Sequence, residues 1–269
     1  MSWLLLGFGY AVVYVVAEQW LLDGALIGTW FRAMAFATPP VLAVATIVRR
    51  RDDWCGCQRV FWGTVAIGLG VSTVGFIGWT LDGFLLQQDP SPLEWHAVLA
   101  LFGTAAPLLA LLAQPHLGSR EHAAATTAVD IAGIAVFAGF LFSYVIMGLA
   151  AAQGVASAQQ SFIVLSEFLL LVVLAALAAA ARLAADPAWR TTYQRLALGM
   201  LVQFIARSLA NAGLWLGGYE GVAFYDVTFI IPFFFFLWAL EAAPISPDAD
   251  PASEDPAPAR ARPWLIFGR

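Results

Sequence analysis

The sequence predicts an all-α polytopic membrane protein, a bundle of about eight transmembrane helices with both termini cytoplasmic. Three observations predict it. The chain is 61% hydrophobic and 12% charged, with a mean hydropathy of +0.79, a balance that a water-soluble domain of this length would not keep in solution. It divides into eight mainly apolar runs, each near the roughly 20 residues that cross a bilayer as a helix. The arginines outside those runs all fall on one side of the resulting topology, as cytoplasmic loops require.

The expected spans are 2–20, 25–48, 60–84, 94–113, 124–149, 161–183, 195–217 and 222–244. The first, "MSWLLLGFGYAVVYVVAEQW", has no basic leader and no small-residue cleavage site, so it reads as a retained span. The loop after the second, "RRRDDWCGCQR", carries Arg49, Arg50, Arg51 and Arg59. The fourth loop carries Arg120, the sixth Arg182, Arg190 and Arg195, and the tail Arg260, Arg262 and Arg269. The alternate loops, near "EQWLLDG", "QQDPSPLE", "AAQGVASAQQ" and "GGYEG", have no arginine, and the chain has no lysine. Tryptophans sit near both expected boundaries, Trp20, Trp30, Trp79, Trp95 and Trp215 toward the outer edge and Trp54, Trp62, Trp189 and Trp238 toward the inner one, as interfacial anchors do. Residues 1–245 thus form the transmembrane module. Residues 246–269, rich in Pro, Ala and acid, read as a disordered cytoplasmic linker.

Polar residues inside the spans point to function, because a charge in hydrocarbon is expensive and faces the protein interior. Gln203, Arg207 and Asn211 recur every four residues on one face of span seven. Glu167 in span six and Asp226 in span eight lie at similar outer-half depths, and both are the expected partners of Arg207. Arg32 enters from span two. These six residues form the expected ligand-binding set, with pairing between helices as the alternative role of the buried charges. Asp130 stands apart, in the first turns of span five. Prolines 39, 40, 107 and 232 lie within spans, where they free backbone carbonyls.

No catalytic, metal or cofactor constellation emerges. His96, His116 and His122 lack metal-ligand spacing and lie at span ends or in loops. The sequence has no nucleophile elbow, Walker loop or dinucleotide fingerprint, and no haem-attachment motif. Cys55 and Cys57 read as reduced thiols. The glycines of "GLGVSTVGFIG" suit close helix packing. A net charge of −5 excludes a nucleic-acid partner.

The order of segments resembles the multi-pass N-terminal membrane sensor modules of bacterial signalling proteins, those ahead of diguanylate cyclase (GGDEF), phosphodiesterase (EAL) or histidine kinase domains. The segments are "FWGTVAIGLGVSTVGFIGWTLD", then "DPSPLEWHAVLALFGTAAPLLALL", then "TTAVDIAGIAVFAGFLFSY" with Asp130, and finally Asn211, "GGYEGVAFYD" and Asp226. They cover spans two to eight, with Glu94 and Glu167 standing where that family's pattern has aspartate. The resemblance implies a sensory input module in the inner membrane that responds to an apolar or amphiphilic ligand, or to the state of the membrane, and is not itself an enzyme. Expected partners are the bilayer, an unidentified small molecule, a cytoplasmic signalling domain or partner, and a second copy in a homodimer. The alternative is a small-molecule transporter or channel, since broken spans and midplane charges serve those as well.

Overall fold

A computed structural model describes residues 2–21, 25–54, 56–86, 95–113, 115, 158–215 and 222–245. Among them the chain forms seven α-helices and no strand: α1 (Ser2–Leu21), α2 (Ala25–Arg49), α3 (Gly56–Leu86), α4 (Trp95–Leu111), α5 (Ala158–Leu183), α6 (Pro187–Trp215) and α7 (Val222–Ala242). A 3-10 turn, Arg51–Asp53, follows α2. The expected fifth span with Asp130, His116 and His122 in the loop before it, and the 246–269 stretch lie outside the described residues.

Three helices contain segments long and apolar enough to cross a membrane, Trp30–Arg49, Gly56–Gly78 and Leu165–Leu183. The apolar stretches of α1, α4 and α7 are shorter, at Trp3–Gln19, Phe102–Leu111 and Phe229–Ala242. Helix α6 differs in kind. It begins at Pro187, eight residues before the expected 195, because Asp186 caps it, accepting from the Ala188 amide at 2.8 Å, and a proline at the first helical position is pre-set for the helix. Arg190 and Arg195, read from the sequence as loop residues, are therefore helical, and only Ala184–Asp186 connect α5 to α6.

From α2 to α7 each described helix packs on the next, and α7 returns to α2 while also receiving α1. Helix α7 is the core helix of this arrangement. Ile230, Phe233, Phe234, Phe236, Leu237, Ala239 and Leu240 are all buried, covering nearly its whole circumference, as expected of a helix apolar on every side. Rings from four helices meet around it: Phe36 of α2 stacks on Phe76 of α3 at 5.8 Å, and Phe76 meets Phe229 and Phe233 of α7 edge-on at 6.1 and 6.0 Å. Tyr14 of α1 stacks on Phe31 of α2 at 5.7 Å. Offset and edge contacts of this kind add ~0.5–1.5 kcal/mol each beyond burial.

Small residues set the closest approaches. A methyl group added at Gly103 of α4 would collide with Ser72 Oγ and lie 2.7 Å from the Gly68 carbonyl oxygen of α3. One added at Gly199 of α6 would lie 2.6 Å from Phe235 Cβ of α7. Between helices in an apolar solvent, contact area gained through small residues replaces the hydrophobic drive available in water. The packing role read for the α3 glycines holds at Gly68; Gly70 has open space around it.

The prolines lie inside helices as expected, at positions 39 and 40 in α2, 107 in α4 and 232 in α7. Pro39 cannot donate to the Ala35 carbonyl one turn earlier. The Tyr10 hydroxyl of α1 donates to that carbonyl at 3.0 Å. A backbone acceptor opened by proline in one helix is thus closed by a side chain from another.

Candidate functional site

The polar residues of the bundle gather at two levels. Between the C-terminal part of α1 and the N-terminal part of α2, Glu18 and Arg32 form an ion pair, with Arg32 Nε donating to Glu18 Oε1 at 2.7 Å and Nη2 binding the same oxygen. Glu18 is 8% exposed and Arg32 37%. The second carboxylate oxygen, Oε2, is buried without a hydrogen-bond partner among the described residues. Glu18 is a site residue that the sequence reading left at a span end. Its fourteen-residue separation from Arg32, on a different helix, gave no periodic signal on either helix.

Glu167 and Arg207 occupy α5 and α6, which pack side by side and run antiparallel about the Ala184–Asp186 turn. Equal helical rise on both sides of that turn sets Glu167 roughly level with Gln203, and Arg207 about one helical turn further from the connection. All three are half-buried, and Glu167 and Arg207 each have an interaction partner. Ser166, next to Glu167, is fully buried, and the buried Ser208 hydroxyl beside Arg207 has no hydrogen-bond partner among the described residues. A buried unsatisfied hydroxyl is where a ligand atom or a water finds a bond. Asn211 and Asp226 belong to α6 and α7, but their side chains, and with them the expected Arg207–Asp226 pairing, lie outside the described residues.

The second level, at the C-terminal end of α7, was not anticipated as a site. The C-terminal end of a helix carries the negative end of its dipole, which favours a cation. Two arginines, one on α6 and one just past α2, reach backbone carbonyls near the end of α7. Arg195 Nη1 of α6 donates to the Trp238 carbonyl at 2.6 Å, and the guanidinium lies 4.4 Å from the Trp238 ring centre and 3.9 Å from Glu241. Arg50, just past α2, donates through Nη1 to the Leu240 carbonyl, holds Asp53 through Nε at 3.3 Å, and lies 5.4 Å from the Trp54 ring.

The loop behind Arg50 is folded rather than open. Arg59 donates to the Trp54 carbonyl at 3.1 and 2.9 Å. Gly56 takes a φ of +44°, in the left-handed region that suits glycine, where α3 begins. Trp54 stacks on Trp62 at 5.6 Å, and Phe61 meets Trp189 edge-on at 5.4 Å and Tyr193 at 5.9 Å. Trp54, Trp62 and Trp189 are therefore core residues, each about 1% exposed or less, and the anchoring role read for them is corrected. They knit the 3-10 turn to α3 and α6. Trp30 and Trp95 at the opposite end are exposed. His96 is likewise buried, with its ring edge-on to Trp95 at 5.9 Å, whereas the sequence suggested an interfacial position. Cys57 is a free, exposed thiol.

Among the described residues no group of three or more His, Cys, Asp or Glu converges to hold a metal ion. Fold and site together define, among the described residues, an all-helical bundle with three membrane-length apolar segments, half-buried charges between helices, and a core helix gripped at its C-terminal end. Comparison with protein families, curated proteins and solved structures finds no match to this chain.

Proposed function

We propose that the chain is a polytopic protein of the bacterial inner membrane, with eight spans and cytoplasmic termini, acting as a sensory input module of the kind its sequence resembles. Its membrane placement is supported by the outward faces of the helices. Leu5, Phe8 and Val13 of α1, Val48 of α2, Ile67 of α3, Phe102 of α4 and Leu209 of α6 are all largely exposed. Apolar side chains on both the buried and the exposed faces suit a lipid surround and would draw a water-soluble protein into aggregates.

The observation that carries the sensory reading is the position of α7. It packs against α1, α2 and α6, is the last described helix, and leads directly to the linker-like stretch. A ligand that bonds near Glu167, Gln203 and Arg207 and favours one packing of α5 against α6 biases α7 through α6. Such a ligand acts only through a difference in affinity between two packings. A difference of ~1.4 kcal/mol shifts their ratio about tenfold.

Reporter fusions test the topology. Fusions at Gly154 and Gly218 are expected to read as external and one at Asp52 as cytoplasmic; a cytoplasmic signal at Gly154 or Gly218 would break the eight-span arrangement. Pulsed electron resonance tests the sensory role. With Cys55→Ser and Ile245→Cys, nitroxides on Cys57 and position 245 report the inner end of α7 in proteoliposomes. Glu167→Gln and Arg207→Gln are expected to change that distance distribution. An unchanged distribution together with saturable solute uptake would favour the transporter reading instead.

A further inference from the structure

The antiparallel pair α5 and α6 leaves a groove of about 630 Å³ on its outer side, within the ~300–1,000 Å³ of small-molecule clefts. Helix α5 contributes Ala178, Ala181 and Arg182, and helix α6 contributes Arg190, Leu198 and Leu201. With Leu174 on α5 and Gln194 and Ala197 on α6 included, the lining of each helix recurs at three-, four- and seven-to-eight-residue spacings, so each lines one face of its helix. Alanines hollow the α5 side and leucines wall the α6 side. Both arginines stand together at the end next to the Ala184–Asp186 turn, with Gln194 beside them. The groove therefore has a cationic rim and an apolar body.

The rim cations are not spent elsewhere. Arg182 forms no hydrogen bond or ion pair among the described residues, and Arg190 gives one N–H to the Ala184 carbonyl at 3.1 Å. Each guanidinium has five N–H donors. The nearest acid in sequence, Asp186, is committed to capping α6, and no carboxylate of the described residues lines the groove. Ala178, Arg182, Arg190, Leu198 and Leu201 are exposed, so the groove opens sideways, away from the core.

We infer that this groove binds an anionic phospholipid of the cytoplasmic leaflet, with the phosphate-bearing headgroup on Arg182 and Arg190 and an acyl chain along the alanine and leucine faces. Charge complementarity selects this occupant over a neutral lipid. Guanidinium forks suit phosphate oxygens, and basic pockets between helices at the cytoplasmic side suit anionic headgroups. The apolar body selects it over a free anion, which would leave the leucine wall without a partner. The inference rests on the membrane placement proposed above and is independent of the sensory role.

The full chain in detergent, titrated with dioleoyl phosphatidylglycerol or dioleoyl phosphatidylcholine and followed by native mass spectrometry, provides the test. Wild-type protein is expected to retain phosphatidylglycerol preferentially. The double variant Arg182→Gln/Arg190→Gln is expected to lose about thirtyfold in affinity for it, at roughly fivefold per cation. Ala178→Phe fills the apolar body without touching a charge and is expected to weaken retention as well. Equal retention of the two lipids would overturn the inference. So would an equal loss in Arg49→Gln/Arg51→Gln, which removes the same charge elsewhere on that side. Displacement of the lipid by equimolar inorganic phosphate would assign the rim to free phosphate. Flotation with pure phosphatidylcholine vesicles checks the membrane placement separately: protein that floats but shows no lipid preference sinks the groove site alone, and protein that does not float sinks the placement.

Discussion

Replacing Arg195 by alanine removes the most heavily used side chain at the C-terminal end of α7. Its guanidinium donates to the Trp238 carbonyl at 2.6 Å, lies 4.4 Å from the Trp238 ring centre, and lies 3.9 Å from Glu241. A hydrogen bond from a charged donor contributes ~1.5–3 kcal/mol. The cation over a tryptophan face adds ~0.5–2 kcal/mol. The long, partly exposed ion pair adds less than ~1 kcal/mol after screening. One guanidinium makes all three contacts, so they do not simply add, and a net loss of ~2–4 kcal/mol is expected. At roughly 2–4 °C per kcal/mol for a chain of this order of size, the melting temperature of detergent-purified Arg195→Ala should fall by about 5–10 °C. Arg260→Ala, in the Pro- and Ala-rich stretch, is the control. Arg195→Lys keeps the charge but loses the planar fork, and its melting temperature should lie between those of wild type and alanine. If Arg195→Ala melts together with Arg260→Ala, the α7 terminus does not depend on this contact and the reasoning about the gripped helix fails.

Three further predictions follow from neighbouring contacts. Tyr10→Phe should cost ~1–2 kcal/mol by leaving the Ala35 carbonyl unbonded, and much less in a Pro39→Ala background, where residue 39 regains its own N–H donor; additive melting shifts in that double-mutant cycle would show that Tyr10 does not serve the proline-opened carbonyl. Arg32→Ala should destabilise more than Glu18→Gln, because it strands a carboxylate that is 8% exposed, whereas the more exposed Arg32 can reach water; the reverse order in thermal melts would contradict the burial asymmetry. Gly103→Ala should cost ~1–3 kcal/mol by overpacking against Ser72 and the Gly68 carbonyl, while Gly70→Ala, which has open space around it, should be neutral or slightly stabilising. Equal effects of the two glycine substitutions would remove the close α3–α4 crossing as their cause.

The helices themselves were legible in the sequence, because a long apolar run can satisfy its backbone only within itself. Expected spans 2–20, 25–48 and 222–244 correspond to α1 at Ser2–Leu21, α2 at Ala25–Arg49 and α7 at Val222–Ala242, with ends within a residue or two. Even the miss at α6 had a local signal, since Asp186 followed by Pro187 is a helix start; the apolar window passed over it because Arg190 and Arg195 dilute that stretch. The concentration of charge on α5 and α6 could likewise be read, because Gln203 and Arg207 share a helical face. Contacts between distant segments could not be read. Arg50 meets a carbonyl 190 residues away and Arg195 one 43 residues away, and both acceptors are backbone groups that any sequence at Trp238 and Leu240 would present. Whether a tryptophan anchors at a boundary or stacks in the core is equally invisible to composition: Trp30 is exposed and Trp54 buried, though both lie near span ends. Sequence determined which segments are helical and where charge enters them, since those follow from local hydrogen bonding and from the cost of burying charge. Tertiary structure alone decided which arginine closes which helix end, which tyrosine answers which proline, and where two helix faces part to leave a groove, because those depend on rotation and depth between helices that no local pattern encodes.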